Sequence, residues 1–184
     1  MKRASYAESE RICETTFANG YPWWHLYTPG IATSLLFVDA DDYRYAINLL
    51  ARCRKDIGTV VIVAFEIMSN HIHLVTSGKE DDVRRFFTLF KRRLKWYMAS
   101  KGRKDALVQF TMSLKPVSDL KTLRNTIVYV NRNGYVANPD HTPYSYPWGT
   151  GKFYFGEHQT ERRLGDLTYR EARKTLRCRG RQLP

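Results

Sequence analysis

Cysteine is scarce in this chain: there are three, at Cys13, Cys53 and Cys178. Their number is odd and their spacings are wide. That argues against a disulfide framework and against a zinc knuckle built on a close Cys pair, so incidental or buried thiols are expected. No stretch reaches the roughly 18 continuous apolar residues of a membrane helix, and no membrane partner is expected. The chain opens with Lys2-Arg3, but no apolar core follows them, so no secretion signal is read and a cytoplasmic location is the default expectation. Acid is also in short supply. Eighteen Asp and Glu face 30 Lys and Arg, a formal net charge of +12. Neither an internal repeat nor a low-complexity tract is found.

What is present suffices for one core. The chain has 184 residues, 43% of them hydrophobic, and aromatics reach 14%. Length and composition suit one domain with a small appendage. The basic excess favours a polyanionic partner, nucleic acid or an anionic surface. Its clustering, in KRRLK at 91–95, KGRK at 101–104 and the tail 162–181, favours nucleic acid. The plain alternative for such runs is a solvated helix face.

Residues 1–22 read as an irregular N-terminal arm. Trp24–Thr28 reads as a first strand, stopped by Pro29-Gly30. Asp39 or Asp41 is placed to cap a helix over 42–54. The run TVVIVAFEIM, 59–68, is a β-branched central strand. Ser69-Asn70 turns the chain into the strand His71–Thr76, antiparallel to the last because the connection is so short. A long helix starts at Asp81 or Asp82, with Val83, Phe86, Phe87, Phe90, Leu94 and Tyr97 as its apolar stripe. Leu107–Met112 reads as a short strand. Ser118 is placed to cap a helix over 119–132. Pro139, Pro143, Pro147 and Gly149 impose an irregular stretch, and a basic helix is expected near Tyr169–Cys178. This order fits an α+β, ferredoxin-like β-α-β-β-α-β sandwich: an antiparallel sheet with helices on one face, plus an additional helix outside that core. The expected domain spans 23–150, with a basic extension at 151–184.

Two short segments carry candidate chemistry. In a strand, His71 and His73 point the same way, about 7 Å apart, while Ile72 and Leu74 point to the helix-covered face. The two imidazoles can converge on one divalent ion. They can equally be solvent-facing or bonded to a loop, and a complete site needs further ligands. In 119–135, Leu120, Leu123 and Ile127 form the apolar stripe, and Tyr129 lies about 180° from Leu120 around the wheel. Asn133 lies one turn beyond Tyr129, about 40° away. That face offers a tyrosine beside an amide. It also fits a packed tyrosine followed by an Asn133-Gly134 helix stop.

Met68-Ser69-Asn70-His71-Ile72-His73-Leu74, followed by Tyr129-Val130-Asn131-Arg132-Asn133-Gly134-Tyr135, resembles the single-tyrosine transposases of the HUH endonuclease superfamily. The IS200-like group and its REP-associated tyrosine transposase relatives are the nearest branch. These carry Met-Pro-Asn-His-Val-His-Leu and then Tyr-Ile-x-x-Asn-Pro-Val. Tyr146-Pro147-Trp148 is similar to a further segment of that family. The likeness covers about 23–150. Ser69 and Gly134 depart from the family, each standing where it has proline, and the tail beyond 160 lies outside the likeness.

The resemblance implies that His71 and His73 hold a divalent metal, magnesium or manganese, and that Tyr129 is the nucleophile. It makes Asn133 a further metal ligand. It implies cleavage and strand transfer on single-stranded DNA, at hairpin-flanked sites, through a 5′-phosphotyrosine, by a transposase or a domesticated one. A homodimer is compatible with it. For DNA contacts, Lys91, Arg92, Arg93 and Lys95 lead on the long helix, with Arg170, Arg173, Lys174 and Arg177 in the tail. Trp23 and Trp24 are candidates for stacking on unpaired bases. The alternative is a basic nucleic-acid-binding module of the same fold that does not cut.

Overall fold

The computed structural model describes residues 21–30, 35–138 and 140–155, and two short strands at 163–164 and 167–168. The basic candidates Arg170, Arg173, Lys174 and Arg177, and the tail helix expected near them, lie outside the described residues.

The described chain runs β1 (Trp23–Tyr27), α1 (Ala40–Ile57), β2 (Val61–Ile67), β3 (Ile72–Ser77), α2 (Glu80–Ser100) and β4 (Ser113–Val117). The helix α3 (Leu120–Val130) and two single-turn helices, α4 (Asn133–Ala137) and α5 (Gly151–Phe155), follow. A minimal hairpin, β5 (Arg163–Leu164) and β6 (Leu167–Thr168), ends the described chain. The four long strands form one antiparallel sheet in the order β2-β3-β1-β4. This is the α+β, ferredoxin-like arrangement read from the sequence, with His73 on the central strand β3 and His71 just before it.

Local chemistry explains the helix ends. The Asp39 carboxylate accepts from the Asp42 N–H at 2.9 Å and starts α1, satisfying one of the donors that a helix start leaves unpaired. Gly58 ends α1 with φ at 76°, a backbone that favours glycine. No side-chain cap opens α2, but Glu80, Asp81 and Asp82 fill its first turn, where the helix dipole favours negative charge.

Two cores form, one on each side of the sheet. On one side α1 and α2 cover Leu26, Ile67, Ile72 and Leu74, using Leu49, Leu50, Phe86, Phe90 and Leu94. On the other, α3 lays Leu123, Ile127 and Val130 over Trp23, Val63, Ala64 and Val75. The extra helix therefore makes a third layer. It lies on the face to which period-2 geometry assigns His71 and His73.

Beyond shifts of a few residues at the ends of the earlier elements, the structure departs from the sequence reading in the segments after α2. Leu107–Met112 is not the last strand. Leu107 and Phe110 are buried in the first core, and their segment is a run of turns with bonds such as Phe110 N–H to the Leu107 carbonyl at 3.2 Å. The strand is Ser113–Val117, at the sheet's edge. The cap of α3 is Asp119 rather than Ser118, accepting from the Thr122 N–H at 2.9 Å. And α3 stops at Val130, with a turn before α4.

Candidate active site

Strand pairing sets the geometry. Tyr27 of β1 sits opposite His73 of β3, and Glu66 of β2 sits opposite His73 from the other side. Cross-strand partners share a face, so Tyr27, His73 and Glu66 line up beneath α3. His25, two residues before Tyr27, joins them by the same alternation.

The rings of His71 and His73 lie at 82° to one another with centroids 5.0 Å apart. Tyr129 stands edge-on to His73 at 5.6 Å and to His25 at 5.8 Å. Tyr129 thus meets the histidines of its own chain. Its side chain is 53% exposed, whereas His73 is 5% exposed. The tyrosine is open to solvent on one side and backed by imidazoles on the other.

Each histidine of the pair is fixed through Nδ1. Asn70 donates through Nδ2 to the Gly30 carbonyl at 2.6 Å, which leaves its Oδ1 to face His71 Nδ1 at 2.7 Å. An amide oxygen only accepts, so Nδ1 of His71 carries the proton and Nε2 presents a lone pair. Nδ1 of His73 is 3.1 Å from Nε2 of His25. Burial, the first cause in each case, holds all three rings neutral. His25 is lowered to about 4 by burial and by Lys115, and His73 to about 3 by burial and its two histidine neighbours. His71 is lowered by burial alone.

A neutral imidazole with its Nδ1 held by a second group is the form that ligates metals. The His71/His73 pair fits a divalent cation in that respect. Among the described residues, no group of three or more His, Cys, Asp or Glu is arranged to hold a metal ion. Further coordination would come from water and phosphate oxygens, as magnesium and manganese sites commonly allow.

Asn133 is placed next to this site but is used structurally. Its Nδ2 donates to the carbonyls of Tyr129 at 2.9 Å and Val130 at 3.1 Å, closing the end of α3. Its N–H, with that of Gly134, donates to the Glu66 carboxylate at 3.1 and 3.0 Å. Glu66 is 1% exposed. Burial pushes its carboxyl up to about 7, against the two backbone hydrogen bonds. The Tyr146 hydroxyl donates to the Ile67 carbonyl at 2.8 Å, and the Ile67 N–H donates to the Trp148 carbonyl at 3.0 Å. Tyr146-Pro147-Trp148 therefore pads the outer edge of β2, which would otherwise offer unpaired backbone groups.

The other candidates are not drawn into the site. Lys91, Arg92, Arg93 and Lys95 ride on α2, in the layer across the sheet from Tyr129. Arg93 pairs with Asp56. Trp23 is buried in the second core, and Trp24 is half-buried with Nε1 donating to the Gly78 carbonyl at 2.9 Å, so both pack rather than present a stacking surface. The sequence reading gave no role to His25, Tyr27 or Glu66. Their alternation within β1 and β2 was visible; the pairing that brings them to His73 was not.

The departures from the family pattern have local explanations. Ser69 acts through its carbonyl, which accepts from the N–H groups of Leu36 at 2.7 Å and Phe37 at 2.9 Å. A proline has that carbonyl too. At Gly134 a Cβ would collide with Cγ of Tyr146 and lie 2.7 Å from Oε1 of Glu66. A proline there would also lack the N–H that Glu66 binds.

No protein-family model and no curated protein matches the chain. Among solved structures with a similar fold is that of a REP-associated tyrosine transposase bound to a REP hairpin. It superposes with a TM-score of 0.54 at 14% identity, covering 75% of this chain and 81% of that one. At that identity the likeness is one of fold: a four-stranded antiparallel sheet with helices.

Proposed function

We propose that this chain is a transposase-like DNA strand transferase that cleaves single-stranded DNA with Tyr129. The observation that carries the reading is the edge-on placement of a half-exposed Tyr129 against His73 and His25, with His71 beside them. The fold shared with a transposase that binds a REP hairpin supports DNA as the substrate. So does the +12 charge.

In this reading the Tyr129 phenolic oxygen attacks the scissile phosphorus. The bond from phosphorus to the 3′-oxygen breaks, and the 3′-oxygen takes up a proton and leaves as a hydroxyl. The phenolic proton is lost, and a 5′-phosphotyrosine is left on the enzyme. A second strand's 3′-hydroxyl reverses the step, so rejoining needs no nucleotide cofactor. Nε2 of His71 and the ring of His73 would hold the divalent ion, magnesium or manganese. When bound, that ion supplies charge stabilisation at a phosphate oxygen. Asn70 and His25 keep the two rings oriented, and α3 carries Tyr129 over them.

A labelled single-stranded DNA hairpin incubated with manganese or magnesium is expected to give a covalent protein–DNA adduct. Tyr129→Phe is expected to give none, while melting within about 0.5 kcal/mol of the parent because the hydroxyl lies at the surface. Equal adduct from Tyr129→Phe would sink the assignment.

A second reading is a module that binds nucleic acid without cutting it. It is favoured by the +12 charge and by a fold shared with a protein bound to a hairpin, neither of which requires cleavage. Hairpin binding with no adduct under any divalent ion would select it.

A further inference from the structure

Beside Tyr129 lies an open cleft of about 410 Å³ between β1, β4 and α3. Its size is in the range of sites that take one small ligand. We propose that it is the seat of one unpaired nucleotide, the one next to the phosphate that Tyr129 attacks. The proposal rests on the strand-cleavage reading for its position, and on the lining of the cleft for its chemistry.

Three kinds of group meet there. The first is an aromatic surface. Tyr27 lies 4.9 Å from His25 with the planes tilted by 31°, and near-parallel to His73, 18° between the planes, which gathers three rings on β1 and β3. Nucleobases stack on such rings whatever their sequence. The second is a cation. The Lys115 ammonium, from edge strand β4, lies over the face of the Tyr27 ring, 5.4 Å from its centre; a phosphate draws it off that face and leaves the ring to the base. The third is an amide. Thr122, Asn125, Thr126 and Tyr129 recur along the facing side of α3 at the spacing that puts residues on one face. The Thr122 hydroxyl donates to Asp119, and the Thr126 hydroxyl donates to the Thr122 carbonyl. With both threonine hydroxyls engaged, Asn125 is the exposed amide of that wall, with both a donor and an acceptor to offer a base edge beside the Tyr129 hydroxyl. An amide reading a base edge in both directions is a sequence-discriminating contact.

The ligand class follows from the combination. A ring for a base, an ammonium for a phosphate and an amide for a base edge occur within one cleft, and the nucleophile stands at its wall. A duplex does not fit so small a volume, whereas a single strand can leave through the open side.

The test uses the full ¹⁵N-labelled chain in EDTA, titrated with each of the four deoxynucleoside 5′-monophosphates and, separately, with inorganic phosphate. Saturable shifts are expected at Lys115, Thr126 and the Asn125 side-chain amide, differing in strength among the four bases. Inorganic phosphate should move Lys115 without moving Asn125. Asn125→Ala should weaken the preferred nucleotide about tenfold with unchanged melting. Shifts that phosphate reproduces in full would overturn the proposal. So would nucleotide shifts confined to other surfaces, or an Asn125→Ala chain that binds all four bases as the parent does. Shifts without any DNA adduct would sink the cleavage reading and keep the subsite; an adduct without the shifts would do the reverse.

Discussion

Replacing Glu66 by glutamine tests how the tyrosine helix is tied to the sheet. Glu66 is 1% exposed and accepts the N–H groups of Asn133 and Gly134. Its carboxyl is raised by burial from 4.5 to about 7. Between those values the unfolded chain has lost the Glu66 proton and the folded chain has kept it. Folded protein then holds more protons than unfolded, so rising pH weakens the fold. Glu66's contribution is fully present below pH 4.5 and is lost as pH rises through about 7. The shift corresponds to about 3 kcal/mol at 1.36 kcal/mol for each pKa unit. Glutamine cannot ionise, so Glu66→Gln lacks that slope. It has its own constant cost, about 1–3 kcal/mol, because its amide nitrogen cannot accept the second backbone N–H. His25 and His73, held neutral by burial, add stability as pH rises toward 6.5, but they do so in both proteins. The difference between the two chains therefore isolates Glu66. Urea unfolding at intervals from pH 4 to 8 should show the parent losing about 3 kcal/mol relative to the variant as pH rises. Parallel stability curves would refute the argument, since they would mean that Glu66 ionises alike in the folded and unfolded chain.

Other substitutions probe single links. Gly30→Ala would set a Cβ 2.7 Å from Nδ1 of His71; the ring must move, and adduct formation should fall about 10–100-fold, as when the supports of a metal ligand are lost, with far-UV circular dichroism unchanged. Gly134→Ala drives a Cβ into Tyr146 and Glu66, and chemical denaturation should show a loss of about 1–3 kcal/mol from overpacking. Asp42 is fully buried, and although burial opposes its ionisation, Arg103, the Val38 N–H and the Tyr97 hydroxyl outweigh it and hold the carboxyl at about 2. Its contribution, about 2 kcal/mol, is present above pH 3.8 and is lost as pH falls through about 2; Asp42→Asn should flatten the acid limb of a stability profile there.

The fold was legible where side-chain period and burial agree. The run at 59–68 is β-branched, and Phe86, Phe87, Phe90 and Leu94 recur at helical spacing; both became elements with the expected faces. The last strand is hidden in the sequence because apolar content there marks a core-closing turn rather than a strand. Leu107 and Phe110 are apolar because they close the core from a run of turns. The true strand, Ser-Leu-Lys-Pro-Val, reads poorly because it is an edge strand, where lysine and proline are tolerated.

The site was legible only in pieces that lie within one element. His71 and His73 share a face by alternation, and Tyr129 leaves the apolar stripe of its own helix. What joins them is tertiary. α3 must cross to the side of the sheet away from α1 and α2, and no local period encodes that choice. The structure identifies a lock that accompanies it: Glu66, cross-strand to His73, binds the two N–H groups that follow the end of α3. Gly134 is small enough to let Tyr146 close over that junction, and Tyr146 in turn bonds the carbonyl next to Glu66. The separate motifs at 68–74, 129–135 and 146–148 thus form one mechanical unit around β2 and β3. A glycine in place of proline at 134, which in the sequence weakens the resemblance, is in the structure the residue that lets Glu66 hold the tyrosine helix down.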